Sequence, residues 1–144
     1  MLSNTCKYAI RAVIYLAVNA GTENKIGIKR IAEDLSIPTP FLAKILQSLA
    51  RKKVLSSSKG PNGGFGLGKE PDDIKIIDIV ELIDGPDVFE LCVIGMHTCK
   101  EQKSKCALHS TYAPIREELQ TLFDYQTIGN LVNEVKSGRQ DIIL

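Results

Sequence analysis

Apolar residues recur with a helical period through most of the first half of the chain. Between residues 5 and 20, one helical face would carry the apolar side chains Ala9, Val13, Leu16 and Ala20. A second, shorter stretch has the spacing i, i+3, i+4, i+7 at the positions Ile28, Ile31, Ala32 and Leu35. These patterns predict a broadly buried first helix and a short amphipathic second helix.

A third helix is predicted from Thr39 to about Lys53, with Thr39 as its N-cap and Pro40 at its first helical position. Its inward side chains would be Leu42, Ile45, Leu46 and Leu49. Two short strand-like runs, 54–58 and 65–67, then flank a turn and predict a hairpin. Five of the eleven glycines lie at 60–68, which is typical of a hairpin tip that approaches another surface closely.

The second half of the chain has a weaker pattern. Residues 76–84 predict a short helix that ends at Gly85 and Pro86. Residues 88–109 have no clear helix or strand period and hold three cysteines. A last substantial helix is predicted to begin near Pro114, and its apolar side chains are Ile115, Leu119 and Leu122.

Two short helices joined by a tight turn and followed by a glycine-rich hairpin predict a winged helix–turn–helix. The fold class is therefore mainly α with a small β-hairpin wing and a C-terminal helix. Ala32 is small enough to let the two helices cross closely, while Ser36 stands where such turns usually have glycine. A length of 144 residues suits about one domain.

Composition and charge add a candidate partner. The chain is 44% hydrophobic and 24% charged, an ordinary balance for a soluble globular protein. Residues 1–70 hold 11 Lys and Arg against 4 Asp and Glu, a net charge of +7, whereas residues 71–144 hold 7 against 13, a net charge of −6. A basic half joined to an acidic half is expected of a nucleic-acid-binding region next to a non-binding one. A chance patch of solvated lysines is the alternative.

The polar face of the third predicted helix supplies the candidate DNA contacts Thr39, Lys44, Gln47, Ser48 and Arg51. Gln and Lys can bind base edges in a major groove, and Thr, Lys and Arg can bind phosphates. At the hairpin tip Lys59, with Gly60 and Asn62, is placed to enter a minor groove or to contact phosphate. The alternative is a helical hairpin whose polar face only meets water.

One apparent motif does not carry chemistry. Residues 63–69 satisfy the spacing G-x-x-x-x-G-K of a phosphate-binding loop. Glu70 stands where such loops need Ser or Thr for magnesium, and Pro71 interrupts the helix that should follow. The sequence therefore argues against nucleotide hydrolysis.

Six residues separate Cys92 from Cys99 and Cys99 from Cys106, and two residues separate Cys106 from His109. Thiolates suit iron–sulfur clusters, zinc or copper(I), and an imidazole can complete a four-ligand set. The closely spaced cysteine pair of structural zinc sites is absent, which favours an iron–sulfur cluster held in the loop. Three unrelated thiols, or His97 as the fourth ligand, are alternatives that spacing alone leaves open.

The N-terminal segment indicates where the chain resides. Its apolar run from Ala9 to Ala20 is interrupted by Arg11 and Asn19 and is too short to span a bilayer. We therefore expect a cytoplasmic protein without membrane insertion, whose cysteines are thiols or metal ligands before disulfides. Cys6 is expected to be a small buried hydrophobe.

Four segments carry a family resemblance: Tyr8-Ala9-Ile10-Arg11-Ala12, Ile31-Ala32-Glu33, Lys59-Gly60-Pro61-Asn62-Gly63-Gly64-Phe65 and Thr127-Ile128-Gly129-Asn130-Leu131-Val132. Together they resemble the bacterial winged-helix transcription regulators typified by the iron–sulfur cluster regulator IscR and the nitric-oxide sensor NsrR. The resemblance covers nearly the whole chain. Its most specific parts are the wing and the cysteine loop.

The resemblance implies that Cys92, Cys99 and Cys106 hold an iron–sulfur cluster that changes DNA affinity. It also implies that His109 completes the set, which makes a 2Fe-2S cluster more fitting than 4Fe-4S. The six-residue gaps depart from the commoner five. Some nitric-oxide sensors take a carboxylate ligand from the first helix, where this chain has Lys7, and a protonated lysine cannot ligate iron.

These observations predict a homodimeric transcription regulator, not an enzyme, that binds a palindromic operator in double-stranded DNA. Residues 1–70 would form the DNA-binding region, and residues 71–144 the cluster loop and a dimerisation helix over 113–123, within one compact domain. One alternative is a cluster-free repressor of the same fold that senses thiol oxidation or a small molecule. Another is a small redox or metal-carrier protein whose basic half docks an acidic partner.

Overall fold

The computed structural model describes residues 1–99 and 106–138. Within these ranges it contains the helices α1 (Asn4–Asn19), α2 (Ile28–Leu35), α3 (Thr39–Arg51), α4 (Ile76–Asp84), α5 (His109–Tyr125) and α6 (Ile128–Lys136), and the strands β1 (Leu55–Ser58) and β2 (Gly64–Leu67). Short 3-10 turns at Pro71–Asp73 and Pro86–Phe89 flank α4. The predicted fold class, mainly α with a hairpin wing, is confirmed. The predictions for the loop and for the C-terminal half also cover residues 100–105 and 139–144, which lie outside the described residues.

The first helix is capped and tied to the fourth. The Ser3 hydroxyl accepts a hydrogen bond from the Cys6 backbone N–H at 3.0 Å, which satisfies a free donor of the first turn. The Ser3 backbone N–H donates to the Asp84 carboxylate at 2.8 Å, and the Ser3 hydroxyl donates to the same group. The start of α1 is thereby fixed to the end of α4.

The turn between α2 and α3 accommodates a serine where glycine is usual. Ser36 takes the left-handed conformation at φ 54°, and its backbone N–H donates to the Glu33 carbonyl at 3.2 Å. The prediction that Thr39 is the N-cap is wrong by one residue, because the Pro38 carbonyl accepts the first hydrogen bonds of α3. The helix ends at Arg51, before Lys53 at φ 60°, rather than at Lys53 itself.

The wing is a short antiparallel ladder that pairs Leu55 with Leu67 and Ser58 with Gly64. Strand β2 is also bonded to the loop before α2, since the backbone groups of Ile26 and Phe65 exchange hydrogen bonds at 2.9 Å. A Cβ on Gly64 would lie 2.2 Å from the Ile26 carbonyl oxygen. The surface that this glycine approaches is therefore the chain's own backbone.

Two clusters of buried side chains hold the fold together. The first core joins α1, α2, α3 and the wing, and its fully buried members include Leu16, Ile31, Leu42, Leu46 and Leu49. The second core lies between α1, α4 and α5 and consists of Cys6, Ile76, Ile77, Val80 and Phe89. The half-buried side chains of Leu119 and Phe123 on α5 pack against the second core.

The last two helices differ from the expectation. Helix α5 begins at His109, and Pro114 lies inside it, so a proline in the helix interior was mistaken for a helix start. Helix α6 was not predicted from the pattern. It lies near the C-terminal end of the chain, yet it places Ile128 and Val132 in the first core with α1, α2 and α3.

The corner between α5 and α6 is joined to the segment that follows the wing. The Ile76 N–H donates to the Gln126 carbonyl at 3.0 Å, and the Ile128 N–H donates to the Ile74 carbonyl at 2.8 Å. The Lys75 ammonium pairs with Asp124 at 2.8 Å. The segment 74–76, which follows the wing, is therefore bonded to the end of α5 and to the start of α6.

Candidate DNA-binding face and cysteine cluster

Helix α3 turns its predicted contact residues away from the core. Lys44, Gln47 and Arg51 are exposed, and Thr39 and Ser48 are partly exposed. The opposite face, Leu42, Ile45, Leu46 and Leu49, is buried in the first core. This separation leaves a polar helical face free to meet a partner, since the apolar face is already packed.

The wing extends that face. Lys59, Gly60 and Asn62 are exposed in the turn between β1 and β2, and Gly60 adopts a φ of 102°, which favours glycine. A shallow groove between α3 and β1 is lined by Gln47, Ala50, Arg51 and Ser57. Helix and wing thus present a continuous polar and basic surface.

Sequence reasoning missed the side chains that position the helix–turn–helix. The Arg11 guanidinium donates to the Leu35 carbonyl at 3.4 Å and lies 5.9 Å from the centre of the Tyr8 ring. The Tyr8 ring meets Phe41 edge-on at 5.8 Å, which links α1 to the first turn of α3. Tyr8 and Arg11 are three residues apart on one helix, a spacing that puts them on the same face and could have revealed the pair.

A second contact fixes α2 to α1. The Tyr15 hydroxyl donates to the Asp34 carboxylate, and burial together with this hydrogen bond raises the pKa of Tyr15 above its ordinary value. The phenol therefore stays protonated and keeps donating at neutral pH. Together, the contacts of Tyr8 with α3 and of Arg11 and Tyr15 with α2 hold the helix–turn–helix against α1.

The cysteine loop begins with a tight hairpin. Leu91 pairs with Thr98 across an antiparallel bridge. The Cys92 N–H donates to the His97 carbonyl at 3.0 Å, and the Cys99 N–H donates to the Glu90 carbonyl at 2.7 Å. These bonds fix the backbone at two of the predicted ligand positions.

The structure brings the cysteine thiols together. The Cys92 thiol donates to the Cys106 sulfur at 3.6 Å, and the Cys99 thiol also hydrogen-bonds to Cys92. Cys92 and Cys99 are buried, and Cys106 is partly exposed. Two thiolates on one tetrahedral metal are roughly 3.8 Å apart, given metal–sulfur bonds of about 2.3 Å. The Cys92–Cys106 distance is close to that separation.

The surroundings of Cys92 favour its charged form. The pKa of Cys92 lies below its ordinary value, because the Ile94 backbone N–H donates to the sulfur, although burial opposes the shift. The thiols of Cys106 and Cys99 and the Gly95 N–H lower the pKa further. Since the thiolate is the form that binds metal, this position suits a metal ligand.

The two histidines that are candidate ligands each contact a neighbouring loop residue. The His109 N–H donates to the Cys106 carbonyl at 3.0 Å, so the first residue of α5 adjoins the third cysteine. The His97 ring packs over Gly95, where an added Cβ would lie 2.6 Å from its Cε1 atom. Within residues 1–99 and 106–138, no three or more His, Cys, Asp or Glu side chains are grouped as they would be around a metal ion. The four-ligand set with His109 therefore stays a prediction.

The thiol at the start of α1 behaves differently. Cys6 is fully buried in the second core. Burial, with a smaller contribution from Asp84, raises the pKa of Cys6 from 9.0 to about 12. Its thiol is inert at neutral pH, and the expectation of a small buried hydrophobe is confirmed.

Helix α5 leaves apolar side chains on the surface. Ile115 is 57% exposed and Leu122 is 49% exposed, whereas Leu119 packs against the second core. The sequence-based expectation that a dimer buries Ile115, Leu119 and Leu122 together stays a prediction, and Leu119 is already half-buried within the chain. The loop adds the exposed side chains Leu91, Val93, Ile94 and Met96. In the part of the chain that the structure describes, no helix has the length and apolar character needed to cross a membrane.

Comparison with known proteins identifies the family. Residues 2–134 match the model of the Rrf2 family, described as an iron-dependent transcriptional regulator. The chain is 38% identical over 134 residues to a protein of Aquifex aeolicus (strain VF5) named for HTH-type transcriptional regulation, with 92% of each chain covered. It is 28% identical over 143 residues to the HTH-type transcriptional regulator IscR of Klebsiella pneumoniae (strain 342), covering 96% of this chain and 86% of IscR.

Solved structures share the fold. CymR, the global cysteine regulator of B. subtilis, superposes with a TM-score of 0.75 at 23% identity, covering 92% of this chain and 96% of CymR. The IscR of T. potens superposes with a TM-score of 0.71 at 19% identity, covering 98% of this chain and 92% of that one. The family match extends over the helix–turn–helix, the wing and the cysteine loop alike, and the chain belongs to the Rrf2 family of winged-helix transcriptional regulators, which are not enzymes.

Proposed function

We propose that this chain is a homodimeric regulator of the IscR type, whose affinity for a palindromic operator depends on an iron–sulfur cluster held by Cys92, Cys99, Cys106 and His109. The observation that carries the proposal is the 3.6 Å approach of the Cys92 and Cys106 sulfurs, with the Cys99 thiol beside them. Soft thiolates suit such a cluster, and IscR is among the chain's relatives.

DNA binding would use the face formed by α3 and the wing. Lys44 and Gln47 would reach base edges in the major groove, while Thr39, Ser48 and Arg51 would contact phosphates or nearby edges. Lys59, Gly60 and Asn62 would follow the neighbouring minor groove or its phosphates. The net charge of +7 over residues 1–70 supports this assignment.

A second copy of the chain would cover the open face of α5. Ile115, Leu122 and, at the end of the helix, Tyr125 are large apolar side chains of α5 that lie exposed. A two-fold dimer on α5 would present two recognition helices, and helix–turn–helix dimers bind half-sites about 34–36 Å apart. This is why we expect a palindromic operator.

When bound, the cluster would supply a redox-sensitive link among the loop residues. The chain itself connects that loop to the DNA-binding face. Cys106 is hydrogen-bonded to His109 at the start of α5, and the end of α5 is bonded to residues 74–76, which follow the wing. A change in loop order would then shift the relative orientation of the two α3 helices in the dimer. We expect a coupling of about 1–3 kcal/mol between cluster binding and DNA binding.

The first experiment is an absorption spectrum with iron and sulfide assays on protein purified without oxygen. We expect visible charge-transfer bands and about two irons and two sulfides per chain. About four irons would keep the regulator but remove His109 from the expected ligand set. Replacing Cys99 with Ala should abolish the chromophore, and a fully coloured variant would exclude Cys99 as a ligand.

A cluster-free regulator of the same fold is the second candidate. It is supported by the fold shared with CymR, which is named for cysteine rather than iron, and by the paired thiols. A colourless, metal-free protein whose sequence-selective DNA binding changes on thiol oxidation or on addition of a small molecule would favour it. Family membership argues against the third alternative, a small redox or metal carrier.

A further inference from the structure

We propose that Cys92 and Cys106 form an intrachain disulfide when the metal-free chain meets a hydroperoxide. Their sulfurs are 3.6 Å apart, so the S–S bond of about 2.05 Å needs a closure of roughly 1.5 Å. Rotation about the two Cα–Cβ bonds can supply such a movement. The pair would make the loop a modification site in its own right.

The register of the loop hairpin separates this pair from Cys92 and Cys99. Leu91 lies opposite Thr98, which puts Cys92 opposite His97 and Cys99 opposite Glu90. Cys92 and Cys99 are therefore diagonal neighbours on one face. Diagonal Cα atoms of an antiparallel pair are about 7–8 Å apart, beyond the roughly 4.4–6.8 Å that a disulfide spans.

Backbone bonding restrains the diagonal pair further. The Cys92 N–H donates to the His97 carbonyl at 3.0 Å, and the Cys99 N–H donates to the Glu90 carbonyl at 2.7 Å. A Cys92–Cys99 bond would have to distort this ladder. Cys106 lies outside the ladder and approaches Cys92 without breaking it.

The chemistry balances with hydrogen peroxide as the oxidant. The more accessible Cys106 sulfur attacks one peroxide oxygen, the O–O bond breaks, and a sulfenic acid forms with loss of water. The Cys92 sulfur then attacks the sulfenic sulfur, the S–S bond forms, and a second water leaves. Two thiols lose two protons and two electrons, and the peroxide takes them up and becomes two waters.

The consequence for iron rests on the proposed function. A Cys92–Cys106 disulfide occupies two of the three sulfurs proposed to hold the cluster. The oxidised chain would accept iron and sulfide only after a dithiol reductant had reopened the bond. The formation of the disulfide itself requires neither iron nor DNA.

The test is disulfide mapping on the full, metal-free chain. Protein stripped of metal and reduced without oxygen is treated with one equivalent of hydrogen peroxide, alkylated, digested with trypsin and analysed by mass spectrometry. Cleavage after Lys75, Lys100, Lys105 and Arg116 puts Cys92 and Cys99 on one peptide and Cys106 on another. We expect the two peptides to be crosslinked, with fragmentation assigning the bond to Cys92 and with Cys99 and Cys6 alkylated.

Matched variants complete the design. Cys99→Ser should still give the crosslink at the wild-type yield, whereas Cys92→Ser and Cys106→Ser should give none. An internal Cys92–Cys99 loop, a Cys99–Cys106 bond, a link between chains, or Cys106 oxidised beyond sulfenic acid without a crosslink would each overturn the proposal. A chain that never binds iron can still show the crosslink, so failure of the proposed cluster is seen separately, in the iron assay.

Discussion

The winged-helix region and the region formed by the loop and α5 satisfy their apolar side chains differently. In the winged helix, leucines such as Leu16, Leu46 and Leu49 are fully buried by the chain itself. In the loop and α5, Met96 and Ile115 lie on the surface, and the thiols of the loop face one another. Among the described residues, the first region buries most of its large apolar side chains within the chain, while the second exposes several that a partner could cover.

The two regions also differ in charge. The basic residues gather in the first half of the chain and the acidic residues in the second, at +7 and −6. A polyanion such as DNA is attracted to the basic first half more than to the acidic second half. The contrast supports the proposed assignment of DNA contacts to residues 1–70.

The largest expected effect separates the two regions by the same substitution. Leu46→Ala removes a fully buried side chain and should lower the free energy of unfolding by about 2–5 kcal/mol. Leu122→Ala removes a side chain that is half exposed and should cost the single chain less than about 1 kcal/mol. Urea denaturation measures both.

Protein concentration sharpens this test. A dimer interface makes apparent stability depend on concentration. Leu122→Ala should weaken dimerisation in sedimentation experiments, while Leu46→Ala should shift the urea midpoint at every concentration. Equal losses from both variants in the monomer would contradict the contrast between the regions.

A smaller effect is expected where α6 packs against the turn Pro71–Asp73. A Cβ on Gly129 would lie 1.8 Å from the Asp72 Oδ1 atom, so Gly129→Ala must displace the Asp72 carboxylate. Because Asp72 is exposed and its carboxylate can rotate away, we expect a loss of less than about 1 kcal/mol in unfolding free energy. The double variant Gly129→Ala/Asp72→Ala should recover part of it, because the obstructing carboxylate is gone; strictly additive losses would show that the clash is not the cause.

The buried thiol of Cys6 in the second core predicts a pH dependence of stability. The pKa of Cys6 is raised from 9.0 to about 12, so the folded chain keeps this thiol protonated where the unfolded chain ionises it. Its contribution to stability is complete below pH 9 and falls as the pH rises towards 12, at about 1.4 kcal/mol per pH unit. Cys6→Ala should lose this slope in unfolding experiments above pH 9, and a variant with the wild-type slope would contradict the assignment.

The smallest effect concerns the wing. Lys59→Ala should weaken binding to most DNA sequences and reduce the slope of log affinity against log salt by about 1. Lys136→Ala removes an equally exposed lysine from α6 and serves as the charge-matched control, with no change in slope. Binding titrations between low and moderate salt distinguish the two, and an unchanged Lys59→Ala slope would remove this residue from the DNA interface.

Local sequence signals account for much of the fold. The first three helices and the hairpin follow from apolar periodicity and glycine placement, and α4 follows from its apolar run and the Gly85-Pro86 stop. The candidate DNA contacts lie on the exposed side of α3 for the same reason, since the period that buries Leu42 and Leu46 also turns Lys44 and Gln47 outwards. The spacing of the cysteines predicted that residues 92–106 form the candidate cluster loop.

Tertiary structure decided what depends on distant residues. Helix α6 was not predicted, although its apolar residues have the spacing i, i+3, i+4, i+7 and follow the N-cap Thr127. Only the fold decided that α6 places Ile128 and Val132 in the first core, and that Leu119 turns inwards because the second core lies beside α5. The start of α5 escaped prediction because proline favours the first turn of a helix, whereas Pro114 lies inside α5, where the helix lacks one backbone hydrogen bond. The pairing of Cys92 with Cys106, fourteen positions apart, is likewise set by the path of the folded backbone, which no local period records.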